Sequence, residues 1–305
     1  MILKHIGRLT DQLEHYWEEK FMKRVAGVWL VVVYVAMIII IEFNRQGWLP
    51  AFLAERLPET HFFAVEVAFT LLLLTEVVSL IFALTSSFSR SIGVQFELLS
   101  LILLRDVFKQ FTYFAEPLEW APIADQMPAM VVDAAAALLI FLVLQIYYGI
   151  QKSYAITSDE TDKESFVNSK KAIAIALLLI FVGVGLVDMW RYLTGGETYP
   201  FFDSFFTILI FADVMMVLLS MRYSFSYAVT FRNFAYALVT VFIRISLIAP
   251  TPINGLIGIS TMLFALAVAY IYNTYGNNLS LAPNTHEDIK RKTNTIPYLE
   301  PNTGD

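Results

Sequence analysis

The residues best suited to chemistry in this sequence are charged side chains inside long apolar runs. Asp213 lies in the middle of one run, and Arg232 and Arg244 lie twelve positions apart in the next. A charge inside a bilayer is costly and is usually retained for a purpose. An arginine fork can pair with a carboxylate, or it can bind an anion such as phosphate. These residues therefore indicate either structural ion pairs or an ion-binding site.

Similar charges occur earlier in the chain. Glu76 matches Asp213, and Arg105 matches Arg244, each in an equivalent apolar run. We expect both outer arginines to pair with acids on the first helix of their own unit, with Asp106 as a further partner in the first unit, because a buried charge needs a partner. Nearer the cytoplasm, Asp213 should face Arg232, and Glu76 and Glu97 should face the turn that carries Arg90. The candidate buried charge network comprises Glu42, Arg45, Glu76, Glu97, Arg105, Asp106, Asp188, Arg191, Asp213, Arg232 and Arg244.

Other kinds of chemistry are disfavoured by composition. The absence of cysteine excludes disulfides and thiolate metal sites. All four histidines lie outside the apolar runs, so an intramembrane metal or haem site is not expected. No Gly-x-Ser-x-Gly sequence and no glycine-rich phosphate loop occurs. We therefore predict no enzymatic activity, no cofactor, no metal and no nucleic-acid partner.

The elements that carry these charges are predicted membrane helices. The chain has 305 residues, of which 57% are hydrophobic and 16% are charged. Its apolar runs approach the ~20 residues that cross ~30 Å of hydrocarbon. We predict an all-α polytopic membrane protein with about eight transmembrane helices, near residues 26–42, 62–84, 92–108, 130–150, 172–193, 205–221, 228–247 and 256–272.

Polar segments flank and divide these spans. Near the N-terminus, apolar residues such as Leu9, Leu13 and Trp17 recur at spacings of three and four. This pattern predicts an amphipathic helix on the membrane surface, or one packed on the chain or on a second subunit. The predicted divisions are an amphipathic helix at 1–25, a membrane unit at 26–150, a cytoplasmic linker at 151–170, a second membrane unit at 171–275 and a disordered tail at 276–305.

The distribution of cations predicts the orientation. An even number of spans places both termini on one side, and most of the 21 Lys and Arg residues lie on that side. Cytoplasmic loops carry such an excess, so both termini are predicted to be cytoplasmic.

The two membrane units have the same plan. The first span of each ends in an acid followed three positions later by arginine, and each second span is followed by Ser-Phe-Ser. Because each unit has an even number of spans, the copies should face the same way and form a parallel repeat. The matched positions are Glu42 and Asp188, Arg45 and Arg191, and residues 87–89 and 224–226.

The second unit carries an acid in its second helix, a phenylalanine turn, an arginine followed by aromatic residues, and another arginine twelve positions on. This pattern resembles the phosphate-starvation-inducible PsiE family of small four-helix membrane proteins. The resemblance implies a bacterial inner-membrane location and a link to phosphate stress. In the first unit, Gly93 replaces the inner arginine and Glu97 replaces the aromatic Tyr236. The residues of the pattern are Asp213, Phe225, Arg232, Phe234, Tyr236 and Arg244.

The sequence leaves two main functions open. The charges can be structural, in a membrane anchor or regulatory protein whose partners are the lipid bilayer and a second copy or another membrane protein. Alternatively, Arg105, Arg232 and Arg244 can serve an ion or anion channel or transporter. A voltage sensor is disfavoured, because the third span offers only Arg105 and Lys109. A polar cavity continuous with water would favour transport, and closure of each arginine against a carboxylate would favour the structural role.

Overall fold

The computed structural model describes residues 2–50, 54, 57–114, 116–151, 160–194, 200–222 and 227–280. These residues form nine α-helices and one short 3-10 helix, Gln110–Tyr113. The α-helices are α1 Ile2–Glu18, α2 Lys20–Arg45, α3 Phe63–Ala83, α4 Phe88–Lys109, α5 Trp120–Ile150, α6 Glu160–Leu193, α7 Phe201–Met221, α8 Tyr227–Ile248 and α9 Ile253–Ser280.

The predicted all-α, multi-pass membrane fold is confirmed. Seven of the described helices, α2, α3 and α5 to α9, are long and apolar enough to cross a bilayer. Helix α4 is also 22 residues long, but it is more polar than the others. It packs against α3, α5 and α8, buries Ser91 and Gln95, and exposes Leu101 and Leu104. The neighbours of α4 therefore cover Ser91 and Gln95, while Arg90, Glu97 and two leucines of the same helix remain exposed.

Two hydrophobic clusters hold the bundle together, and each draws helices from both halves of the chain. One cluster joins α4 and α5 to α8 and α9, with Phe96, Ile140 and Val239 at its centre. The other joins α3 and α4 to α6 and α7 through residues such as Ile81 and Leu209. The two predicted units therefore share their cores and do not pack as separate four-helix bundles.

Several boundaries differ from those expected. Helix α6 begins at Glu160, so the second part of the segment predicted as a linker is helical. Helix α5 begins at Trp120, ten residues before the predicted span, and α9 continues to Ser280. Residues 152–159, the Ser-Phe-Ser turn at 224–226 with Phe225, and the tail at 281–305 lie outside the described residues.

The N-terminal part of α6 is stabilised as a helix by its contact with α1. The 34 residues of α6 correspond to about 51 Å, which exceeds the thickness of the hydrocarbon core. Helix α1 packs along this extension, with Thr10 fully buried and a 2.6 Å ion pair between Asp11 and Lys171. Trp17 of α1 donates a 2.9 Å hydrogen bond to Ser79 of α3.

The other side of α1 is not covered by the part of the chain that the structure describes. Leu9, Leu13 and Tyr16 share one face of the helix, and each is more than 40% exposed. Helix α1 therefore packs on the protein, as one of the two expectations held. It keeps a separate apolar strip that is free to contact the membrane surface.

Helices α5 and α9 approach each other closely at a glycine. A β-carbon added at Gly255 would lie 2.7 Å from the β-carbon of Ala136. One turn further on, Gly258 faces Ile140 and Leu99. Small residues commonly permit such approach between membrane helices, where association depends on close packing.

We predict that Gly255→Ala separates α5 from α9 and lowers the free energy of unfolding by about 1–3 kcal/mol, as overpacking does. Thermal unfolding in detergent micelles measures this change. Gly183→Ala is the matched control, because the space around Gly183 is open. The control should be neutral or stabilising, since alanine favours helix. Equal effects of the two substitutions would refute the close approach.

Candidate functional site

A buried acid–arginine contact lies in the interior of the bundle. Asp213 comes from α7 and Arg244 from α8, and their nearest oxygen and nitrogen atoms are 3.7 Å apart. The same Nη2 of Arg244 donates a 3.2 Å hydrogen bond to Oε1 of Gln95 on α4. The side chains of Arg244 and Asp213 are only 1% and 4% exposed. One guanidinium thus connects three helices and both halves of the chain.

This contact leaves some hydrogen-bonding groups unsatisfied. Nε of Arg244 and Oδ2 of Asp213 are buried and have no hydrogen-bond partner in the described residues. Thr240, one turn before Arg244 on α8, also faces the carboxylate. The pair is therefore held by charge attraction and by Gln95 rather than by a bidentate hydrogen-bonded fork.

The space beside the pair is small. A cavity of about 20 Å³ is lined by polar side chains from four helices, including Ser91, Gln95, Asp213, Thr240 and Lys170. Such a volume holds about one water molecule. Lys170 donates hydrogen bonds to the backbone oxygens of Thr85 and Ser86 at the end of α3. Within the described residues, the space beside the interior charge site is therefore too small for a water-filled passage.

The predicted pairing of Asp213 with Arg232 is wrong. Arg232 lies about 18 Å along α8 from Arg244. Its guanidinium stacks 4.7 Å from the ring centre of Tyr272 and lies 3.4 Å from Oδ1 of Asn233. Asn233 in turn donates to Ser220. Because a helical side chain points toward the N-terminus of its helix, Arg244 rather than Arg232 extends inward to Asp213.

The first half of the chain does not reproduce this pair. Arg105 forms a 2.9 Å ion pair with the adjacent Asp106. Oε2 of Glu76 and Nε of Arg105 are buried without hydrogen-bond partners in the described part of the chain. Glu76 therefore lies near enough to Arg105 for their charges to attract, but the two side chains form no ion pair like that of Asp213 and Arg244.

Arg105 pairs with Asp106, as was allowed for, but neither outer arginine forms an ion pair with an acid on the first helix of its unit in the described residues. Glu42 and Arg45 form a cluster with His61 and Glu116 at the end of α2. Both oxygens of Glu116 accept from His61, at 2.7 Å from its backbone nitrogen and 2.9 Å from Nδ1. Arg45 lies 3.3 Å from Glu116, and Glu42 lies 3.4 Å from Nε2 of His61. This cluster ties α2 to the start of α3 and to the segment before α5.

The same cluster changes the pKa of one carboxyl group outside the membrane spans, that of Glu116. Partial burial acts to raise the pKa of Glu116. The hydrogen bonds from His61 and the charges of His61 and Arg45 outweigh this effect, so the pKa lies below its ordinary value of 4.5. The carboxylate is thus held ionised, as an acceptor for the His61 ring nitrogen.

The remaining predicted residues lie outside these contacts. Glu97 is exposed on α4 and accepts a 2.8 Å hydrogen bond from the hydroxyl of Tyr148. Arg90, expected to face it, is also exposed. Asp188 is partly buried and Arg191 is exposed in the last turns of α6.

Sequence reasoning missed one buried acid. Asp133 on α5 is fully buried and accepts hydrogen bonds from the hydroxyl of Thr251 at 3.0 Å and from Asn254 at 3.2 Å. Both donors lie in the α8–α9 turn or the first turn of α9. Asp133 thus attaches α5 to that turn, and its position inside an apolar run was a usable signal.

No cluster of three or more His, Asp or Glu side chains suited to a metal ion occurs in the described ranges. Comparison with protein-family models, with curated proteins and with solved structures finds no match.

We predict that Arg244→Gln or Asp213→Asn lowers the free energy of unfolding by about 3–5 kcal/mol, because each leaves a buried charge without its partner. The double variant should recover more than half of this loss. Denaturant unfolding in detergent measures both effects. Arg24→Gln, at an exposed position of α2, is the control and should change little. Additive losses in the double variant would contradict the proposed pairing.

Proposed function

We propose that this chain is a PsiE-like membrane protein with a structural or regulatory role, in which buried charges fix the positions of the helices. The observation that carries this proposal is the closure of the interior site. Arg244 is 1% exposed and faces both Asp213 and Gln95. The adjoining cavity of about 20 Å³ has room for about one water.

The surroundings of Arg232 support the same proposal. Its side chain is 4% exposed and is covered by Tyr272 and Asn233. An ion pathway needs a lining that is polar and open to water. Both arginines of α8 instead bind neighbouring side chains, as expected of residues that hold a bundle together.

The PsiE-like assignment is supported by Asp213, Arg232, Phe234, Tyr236 and Arg244, at the spacing described above. With it we propose a tandem parallel repeat, a bacterial inner-membrane location and cytoplasmic termini, the last supported by the excess of Lys and Arg on one side. Contact with a second copy or another membrane protein is part of this regulatory role. No catalytic step is proposed.

A link to phosphate stress follows from this assignment. We predict that the amount of the protein rises several-fold in source cells grown at limiting phosphate. Quantitative immunoblotting against a constitutive membrane protein measures the change. An unchanged level would separate this chain from phosphate stress, while leaving the structural role in place.

A second candidate function is ion or anion transport, favoured by one observation. Arg105 and Lys109 line a pocket of about 340 Å³ that opens near the ends of α3, α4 and α7. Through this pocket Arg105 is accessible to water at one end of the bundle, whereas Arg244 is buried.

Flux through proteoliposomes discriminates between the two functions. For the structural role, we predict chloride, phosphate and potassium fluxes no greater than those of protein-free liposomes, at pH 7 and with an imposed gradient. An ionophore added at the end confirms that the gradient was intact. Flux that falls severalfold in Arg105→Gln would overturn the structural proposal in favour of transport.

A further inference from the structure

The pocket beside Arg105 is formed by both halves of the chain. Its volume is about 340 Å³, at the small end of the range of ligand pockets. The first three turns of α3, the last turns of α4, the first turns of α7 and Leu247 of α8 surround it. Helix ends place it at the boundary between hydrocarbon and water, where a soluble molecule or a lipid headgroup can enter.

Charged side chains of both signs surround this pocket. Arg105 and Lys109 are the cations, and Glu66, Asp106 and Asp203 are the acids. Arg105 pairs with Asp106 at 2.9 Å, and its buried Nε has no hydrogen-bond partner in the described residues.

The other three charges have no ion-pair partner within the described ranges: Lys109, Glu66 and Asp203. Helix dipoles favour acids in a first turn and lysine in a last turn, which explains why these charges are stable at helix ends. The dipoles do not explain why charges of opposite sign converge on one cavity without pairing.

The balance of charge argues against a simple anion site. With all groups ionised, three carboxylates outnumber two cations around the pocket. An inorganic phosphate at Arg105 would therefore face Asp106 at short range, together with two further acids. A ligand that carries both an ammonium and an acidic group would satisfy both sets of side chains.

The inner wall of the pocket is apolar. Leu73 and Phe206 are buried, and Phe69, Phe202, Ile102 and Leu247 complete the wall. Apolar walls with a few placed polar groups are typical of small-molecule sites. The ligand should therefore have an apolar part beside its charged groups.

We propose that this pocket binds a small zwitterion that has a primary ammonium, an acidic group and an apolar portion. The acidic group contacts Arg105 and Lys109, and the ammonium contacts Glu66 and Asp203. A free amino acid with an apolar side chain and the headgroup region of phosphatidylethanolamine share this chemistry. The pocket is distinct from the Asp213–Arg244 contact, so its test is independent of the proposed function.

Three probes of similar size test the recognition of each charge: L-phenylalanine, 3-phenylpropanoate, which lacks the ammonium, and 2-phenylethylamine, which lacks the carboxylate. Isothermal titration calorimetry on the purified full chain in detergent gives the three affinities. We expect both analogues to bind about tenfold or more weakly than phenylalanine, because each loses charge-assisted hydrogen bonds.

Two variants assign the contacts. Asp203→Asn, at an exposed position, should weaken phenylalanine and phenylethylamine about tenfold but leave phenylpropanoate unchanged. Arg105→Gln should weaken the binding of phenylalanine and phenylpropanoate about tenfold but leave phenylethylamine unchanged. Arg105→Lys should retain part of the affinity for phenylalanine. Asp125→Asn is the control, because Asp125 is exposed near the start of α5 and does not line the pocket. Thermal unfolding of each variant verifies that it is folded.

A second experiment, with lipids, identifies the source of the zwitterion. Native mass spectrometry of protein mixed with equal amounts of phosphatidylethanolamine and phosphatidylglycerol reports which lipid is retained. Retention of phosphatidylethanolamine that is lost in Asp203→Asn identifies a headgroup, and phenylalanine binding without lipid retention identifies a free molecule. The proposal is overturned if neither binds, if Asp203 and Arg105 variants bind like wild type, or if inorganic phosphate binds more tightly than phenylalanine.

Discussion

The cost of keeping a charge inside a bilayer governs the arrangement of this molecule. A charged side chain at the centre of a membrane helix costs about 2.5–3.5 kcal/mol on an insertion scale. Arg244 and Asp213 reduce that cost for each other, and Gln95 supplies a further acceptor for the guanidinium. Gln95 belongs to α4, which is the most polar of the long helices. The same contact therefore attaches α4 to the second half of the chain.

Helix α4 in turn explains why the halves share their cores. Ser91 and Gln95 on its inner side would be poorly solvated by lipid, and packing against α3, α5 and α8 buries them. Both hydrophobic clusters include α4, one at Phe96 and the other at Ile102. An independent bundle of the first half would lack α8, which supplies Arg244 as the partner of Gln95. The mixed packing therefore follows from the composition of one helix.

Hydropathy and helical periodicity were sufficient to predict the fold class and the helices, but not the contacts between charges. The pairing of Asp213 with Arg244 depends on how far neighbouring helices are offset along their axes and on the reach of the arginine side chain. Gln95 and His61 were missed because neither carries a permanent charge that marks it in sequence. The helical start of α6 was missed because α1, distant in sequence, covers it.

Position 93 of α4 fits closely against a tyrosine of α5. A β-carbon at Gly93 would lie 2.5 Å from the ring of Tyr148, whose hydroxyl binds Glu97. The position that the sequence comparison matches to it, Arg232, is stacked on Tyr272. An arginine at position 93 would displace the ring of Tyr148 and remove the hydroxyl that donates to Glu97. The missing side chain at position 93 thus lets α5 supply a hydrogen bond to a carboxylate that α4 exposes at the surface of the bundle.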